Sequence, residues 1–206
     1  MKISSFCFFL QNKKARFPIF IPSSKTTNMK ALKIIIILVV VLIGGVLLTA
    51  LFVDKDFSHE ESVTVNAPVM EVWNSTNTLK KMDAWSPWTK KDPEIKQTFD
   101  GQAGSVGAKN CWDSQHEEVG AGCQTITKVE APYLLESHLD FTRPYESEGD
   151  TYLKLEEVDG GTKVTWGMKS EMAYPMNIMN LFMSAEDAMG ASFQEGLNSL
   201  KDIAEA

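Results

Sequence analysis

No acidic residue occurs before Asp54 in this 206-residue chain, and no charge of either sign occurs from Ile34 to Val53. The first absence leaves the opening segment purely basic, with Lys2, Lys13, Lys14, Arg16, Lys25, Lys30 and Lys33. The second leaves an apolar run whose one polar side chain is Thr49. At about 1.5 Å per residue, a helix over that run is about 30 Å long, the thickness of a bilayer's hydrocarbon core. A cleaved signal peptide is the competing reading, but its apolar core is about 7–15 residues and ends in a small-x-small site. Leu48-Thr49-Ala50 puts a large side chain where a small one is wanted, and no Cys follows closely to accept a lipid. An uncleaved anchor over residues 31–53 is the better fit.

Clustered basic residues are missing from the rest of the chain. After the run there are 13 basic residues against 27 acidic. That balance excludes a nucleic-acid surface, which needs grouped Lys and Arg, and a domain held flat on anionic lipid by charge. Basic residues next to a spanning helix stay cytoplasmic. The expected topology is therefore single-pass in the inner or plasma membrane, with the N-terminus inside and the acidic domain outside. Residues 1–30 read as a cytoplasmic tail, 54–56 as a tether and 57–206 as one domain. Met29-Lys30 also reads as a start by itself, so the first 28 residues are either a tail or an upstream extension.

Cysteine is scarce, with Cys7, Cys111 and Cys123. Cys7 falls in the cytoplasmic tail. Cys111 and Cys123 fall on two runs that read as neighbouring strands, in an extracytoplasmic domain where disulfides survive. They are a candidate bridge, with two unpaired thiols as the alternative, because a cross-strand bridge needs closely opposed Cβ atoms. Two Cys with His116 between them lack the paired spacing of a metal site. Nucleotide and phosphate glycine patterns are also missing, as is a nucleophile elbow around Ser86. No cofactor or metal is expected.

What the domain does have is alternation. Ser58 to Asn66 reads as a strand, and Asn66-Ala67-Pro68 opens a helix with Asn66 as its cap and Val69, Val72 and Trp73 on its apolar face. A short helical turn and loop follow from Thr78 to Trp88. Strands are expected over Ile95–Phe99, Ala108–Asp113, Val119–Glu130, Tyr133–Thr142, Glu146–Val158 and Thr162–Met172. Asp159-Gly160-Gly161 is a strong hairpin signal between the last two. Pro175 to Ala206 keeps helical spacing through Phe182, Ala185, Met189, Phe193, Leu197, Leu200 and Ile203, and reads as one long helix. Its Gly190 and Gly196 each cost about 1 kcal/mol relative to Ala, so they suggest a close approach by another group. The resulting class is α+β, with an antiparallel sheet wrapped around its final helix.

These residues resemble the SRPBCC, or START-like, superfamily, and within it the bacterial polyketide cyclase/dehydrase-like proteins. The resemblance is carried by Ser62 to Pro68 running into Glu71-Val72-Trp73, by Trp85-Ser86-Pro87-Trp88, by Gly104 to Trp112, Val119 to Thr127 and Gly161 to Trp166, and by Asn180 to Met183 through Phe193 to Leu197. It spans roughly Phe57 to Ala204. It implies a helix-grip fold, a seven-stranded antiparallel sheet curved around a long C-terminal helix, with an apolar cavity between them. It implies no catalytic motif, so function must be argued from the site.

Candidate cavity residues are Trp73, Trp85, Trp88, Phe99, Trp112, Phe141, Trp166, Met168, Met179, Phe182 and Met183, with Arg143 and Tyr174 near strand ends where a mouth is expected. Met172, Met176 and Met189 add to a Met-rich wall suited to varied apolar shapes. For each of these residues plain core packing is the competing reading. His138 and Asp140 share the polar face of their strand with Glu136 and are expected in solvent. Glu60-Glu61 and Glu156-Glu157 read as solvated faces or edge-strand charges. The leading functional expectation is a membrane-tethered binder of a hydrophobic small molecule such as a lipid, isoprenoid or polyketide-like compound. The alternatives are a cyclase or dehydratase acting on a polyketide-like or aromatic substrate, and an interaction module whose cavity is filled by its own side chains.

Overall fold

The structure, a computed structural model, describes residues 29–184 and 186–206. The expectations for residues 1–28, Cys7 included, lie outside the described residues. The chain divides into two compact units, one reaching to Leu42 and the other running from Ile43 to Ala206. Helix α1 covers Met29–Ala50 and is long and apolar enough to cross a membrane.

Seven strands form one antiparallel sheet: β1 (Asp56–Val65), β2 (Lys96–Asp100), β3 (Lys109–Asp113), β4 (Ala121–Glu130), β5 (Leu134–Arg143), β6 (Ser147–Val158) and β7 (Gly161–Glu171). Their spatial order is β1-β7-β6-β5-β4-β3-β2. All seven match expected strands to within a few residues. The β6–β7 hairpin closes on Asp159 and Gly160, with Val158 opposite Gly161. Gly160 takes φ 87°, and a Cβ on Gly161 would sit 2.1 Å from the Val65 carbonyl oxygen, so only glycine fits there. Register shifts at Ala121/Gly122 and Ile126/Lys128 mark irregularities of the β4–β5 ladder. Such bulges bend a sheet and help it curl around a helix.

Three short helices connect β1 to β2: α2 (Val69–Thr76), α3 (Leu79–Asp83) and α4 (Pro87–Lys91). Helix α2 buries Val69, Val72, Trp73 and Thr76, the i, i+3, i+4, i+7 stripe. Its cap differs from expectation. The helix begins two residues later than an Asn66 cap implies, Pro68 occupies the N-cap position, and the Asn66 N–H donates to the Glu205 carboxylate at 2.7 Å.

The C-terminal helix α5 covers Ala191–Ala204, rather than starting near Pro175. Before it come a 3-10 helix, Met176–Leu181, and one π turn, Glu186–Gly190. The stretch read as one helix includes Asn177 and Asn180, ahead of the apolar spacing that begins at Phe182, and their side chains bond backbone carbonyls elsewhere. Such side-chain amide bonds compete with regular helix.

Helix α5 lies on the sheet's inner face and completely buries Leu197 and Leu200, with Phe193 nearly so. Burying each such side chain stabilises the fold by about 1.5–3 kcal/mol. They join Val65, Ile126, Leu135, Leu153, Leu155 and Val164 in the core. Gly196 lets α5 come close to the sheet, since a Cβ there would lie 2.7 Å from Cζ3 of Trp166.

Candidate functional site

Where the inner face of the sheet runs past α3, α4 and the start of α5, the core opens into a cavity of about 670 Å³. That volume is in the range of small-molecule sites, about 300–1,000 Å³. Its walls divide by chemistry.

One wall is aromatic. Trp166 projects inward from β7 and stacks on Phe193 of α5, with centroids 4.3 Å apart and planes 7° from parallel. Trp85 and Trp88, on either side of the α4 start, meet Trp166 edge-on at 5.0 and 5.6 Å. Farther along the sheet, Trp112 of β3 meets Phe141 of β5 edge-on at 5.8 Å. Gly122 lies between their strands, directly opposite both, and a Cβ there would be 2.9 Å from the Trp112 ring. Three of the four indole N–H groups are tied down within the protein: Trp85 donates to Ser75 O, Trp112 to Val119 O and Trp166 to Thr151 Oγ1. These rings therefore present carbon to the cavity. Met82, Leu79, Leu139, Met168 and Met189 extend the apolar surface.

A polar band runs beside the aromatic residues, with Gln97 directly across the ladder from Trp112 on the same face of the sheet. Asp83, at the end of α3, accepts at one carboxylate oxygen from Thr89 Oγ1 at 2.5 Å and from Gln97 Nε2 at 2.6 Å. Gln97 Oε1 accepts from Asn110 Nδ2 at 3.4 Å. Asn110 stands directly across the ladder from Gln124, which also lines the cavity. Asn110 is buried, and its Oδ1 has no partner among the described residues. A buried acceptor left unmet costs about 1–3 kcal/mol. At the rim Lys91 donates to Glu118 at 2.7 Å, and that hydrogen bond with the ammonium's charge lowers the Glu118 carboxyl below its ordinary range.

Of the residues singled out from sequence, Trp85, Trp88, Trp112, Phe141, Trp166 and Met168 meet around this cavity. Seven stand elsewhere. Trp73 faces the core from α2. Phe99 lies half exposed on edge strand β2. Arg143 pairs with the Asp113 carboxylate and donates to Ser114 O. Tyr174 donates its hydroxyl to Leu47 O at 3.3 Å, and Met179, Phe182 and Met183 are exposed in and after the 3-10 helix. Met179, Phe182 and Met183 lie in the stretch read as part of the long helix, which instead precedes α5, and Tyr174 lies just before that stretch.

Sequence reading missed the polar band, because its members come from α3 and three different strands with no shared spacing. The available signal was polar residues at inward positions: Gln97 and Asn110 share the face of Trp112 and Phe99. Glu60 and Glu61 also divide, with Glu60 accepting from the Tyr152 hydroxyl and Glu61 lying 3.0 Å from His59. Burial, helped by Glu60, pushes the Tyr152 phenol up to about 12. His138 holds the expected outward position, 2.8 Å from Asp150 and 3.4 Å from Asp140. Cys111 and Cys123 face each other across β3 and β4 and form a disulfide, with Cα atoms 4.0 Å apart. Among the described residues, no three His, Cys, Asp or Glu side chains gather as a metal site would need.

This combination of curved sheet, C-terminal helix and intervening cavity is matched at the level of sequence by a family model, "polyketide cyclase / dehydrase and lipid transport", over residues 56–205. The chain belongs to that family. Solved structures agree on its helix-grip-like fold. Ara h 8.0201 is similar with a TM-score of 0.51 at 14% identity, over 72% of this chain and 97% of that one. A protein from Arthrobacter aurescens gives a TM-score of 0.51 at 21% identity, over 74% and 90%. The di-domain ARO/CYC StfQ from the steffimycin biosynthetic pathway gives 0.54 at 12%, over 74% of this chain and 52% of that one. At these identities the likeness concerns the fold of this family member. No curated protein matches the sequence.

Proposed function

We propose that this family member is a membrane-anchored binder of a hydrophobic small molecule that carries at least one hydrogen-bonding group, such as a lipid, isoprenoid or polyketide-like compound. The observation that carries the reading is a cavity whose lining combines aromatic rings with a polar band. Its tryptophan and phenylalanine wall suits rings or chains, and its Asp83, Gln97, Asn110 and Gln124 band suits a hydroxyl or amide. The unmet Asn110 Oδ1 asks for a hydrogen-bond donor. In this reading α1 spans the membrane, residues 1–30 stay cytoplasmic, and a short tether at 54–56 holds the domain of residues 57–206 outside. The Cys111–Cys123 disulfide supports that side, since disulfides persist in oxidising compartments.

Organic extraction of the purified full chain, followed by mass spectrometry, tests the proposal. An apolar compound should co-purify and fall severalfold in a Leu139→Phe/Ser192→Phe double variant that fills the cavity. A chain that yields nothing and also ignores fluorescent fatty acids defeats it.

Asp83 favours a second reading, a cyclase or dehydratase acting on a polyketide-like or aromatic substrate. It is a carboxylate fixed by two hydrogen bonds in the cavity wall, and general acid–base chemistry needs such a group within reach of the substrate. An Asp83→Asn variant separates the two. A binder keeps its ligand, whereas an enzyme keeps binding and loses turnover.

A further inference from the structure

The last four carbonyls of α1 all find partners inside the protein. Leu47 O accepts from the Tyr174 hydroxyl at 3.3 Å, Leu48 O from Leu51 N at 3.3 Å, Thr49 O from Phe52 N at 3.0 Å and Ala50 O from Asn177 Nδ2 at 2.7 Å. A helix ending in water leaves such groups to solvent at little cost. In hydrocarbon no water is present to meet such groups, and leaving one unmet is strongly unfavourable. Two of the four partners come from a segment more than a hundred residues away in sequence. That segment also holds the chain just beyond the helix. Asn177 Nδ2 reaches Val53 O at 2.8 Å, and Asn180 Nδ2 reaches Asp54 O at 3.0 Å and Asp56 O at 3.4 Å. Asn177 is completely buried by this knot.

Around the knot the surface is apolar. Phe52 is 85% exposed and Phe182 79%, with Leu51, Met176 and Leu181 each more than half exposed. No charged residue occurs from Met172 to Met183, and Glu171 and Asp54 mark where charge begins. Water-facing surfaces seldom keep so many large apolar side chains together, and protein interfaces surround theirs with a polar rim. Tyr174, half exposed with its hydroxyl bonded, is the kind of amphipathic ring found at the membrane boundary.

We infer that residues 172–183 form a membrane seat. Asn177, Asn180 and Tyr174 lock the segment to the outer end of α1, and Met176, Leu181 and Phe182 enter the headgroup and acyl boundary of the bilayer that α1 crosses. The occupant is lipid, because the patch is continuous with the end of the spanning helix. This rests on the reading of α1 as a membrane span. Its consequence is that the domain is held in one attitude to the membrane by a second contact, rather than swinging on its tether. The cavity wall at Ala188 and Met189 follows closely in the chain.

Depth measurement in the full chain tests this. With Cys7→Ser as background and the Cys111–Cys123 bridge left in place, nitroxide labels are put singly at Phe182→Cys, Ile43→Cys and Tyr145→Cys. Each protein is reconstituted in phosphatidylcholine vesicles containing a minority of phosphatidylglycerol, and the collision of each label with oxygen and with a water-soluble nickel chelate is compared by electron paramagnetic resonance. All three sites are exposed in the folded chain, so the labels displace no core group. The expected result is preference for oxygen at 182 and 43, and for nickel at 145. Nickel preference at 182 with oxygen preference at 43 overturns the seat and leaves the anchor standing. Nickel preference at 43 overturns the anchor, and the seat with it.

Discussion

Replacing Gly196 with alanine sets two effects of known size against each other. Gly196 lies inside α5, and in a helix interior alanine is favoured over glycine by about 1 kcal/mol. Propensity alone therefore predicts stabilisation. The new Cβ, however, would stand 2.7 Å from Cζ3 of Trp166 and 3.2 Å from Cδ of Pro87. The indole must retreat by several tenths of an ångström, and little around it yields. Phe193 stacks on one face, Trp85 and Trp88 press on it edge-on, and its N–H is held by Thr151. Overpacking of this kind costs about 1–3 kcal/mol. The clash wins, with a net loss of about 1 kcal/mol. Urea unfolding followed by tryptophan fluorescence should show a lower midpoint for Gly196→Ala at unchanged slope. In a Trp166→Phe background the smaller ring vacates the contact, and the same substitution should become neutral or stabilising. A higher midpoint for Gly196→Ala in the native background would refute the argument that α5 is seated on the cavity's aromatic wall.

Three further outcomes are expected. His138 is held protonated to higher pH than an ordinary histidine, first by its hydrogen bond to Asp150 and then by the Asp140 charge. Its stabilising effect is therefore full below the unfolded value near 6.5 and is lost as pH rises through the raised folded value, so Asp150→Asn should weaken the fall in urea midpoint between acid and mildly alkaline pH. Removing the Cys111–Cys123 bridge in a Cys111→Ala/Cys123→Ala double variant opens a short loop, with the cysteines 12 residues apart, and should cost up to about 3 kcal/mol in the same assay. Asn110→Leu removes a buried acceptor that lacks a partner but also the long 3.4 Å donor bond to Gln97 Oε1, so the two effects offset and stability should change little, while uptake of hydroxylated apolar probes falls several-fold relative to their hydrocarbon analogues. Equal loss for both probe classes would remove Asn110 from ligand recognition.

The fold was legible where periodicity is strict. Alternation located all seven strands, the Asp159-Gly160-Gly161 turn fixed the last hairpin, and the uncharged run defined α1. Cys111 and Cys123 were legible as lying on neighbouring strands, but the direct register that opposes them came only with the assembled sheet. Aromatic positions on inward strand faces led to three of the cavity residues, Trp112, Phe141 and Trp166. What sequence concealed depends on distant partners. Asn177 and Asn180, in the first part of the stretch read as helix, bond carbonyls more than 120 residues earlier. Asp83, Gln97 and Asn110 form one hydrogen-bonded chain only after α3, β2 and β3 are assembled. The exposed Met179, Phe182 and Met183 had the right chemistry for a pocket wall, but the break before α5 carried them away from the cavity.

Four of the five tryptophans, Trp85, Trp88, Trp112 and Trp166, line the cavity, so a brominated fatty acid offers the most direct measurement. A ligand that enters should quench the intrinsic fluorescence of the full chain in a saturable, one-to-one manner. The Leu139→Phe/Ser192→Phe variant should weaken that quenching at least tenfold in concentration. Absence of saturable quenching, or the same quenching in the filled variant, would contradict an apolar ligand held between sheet and helix.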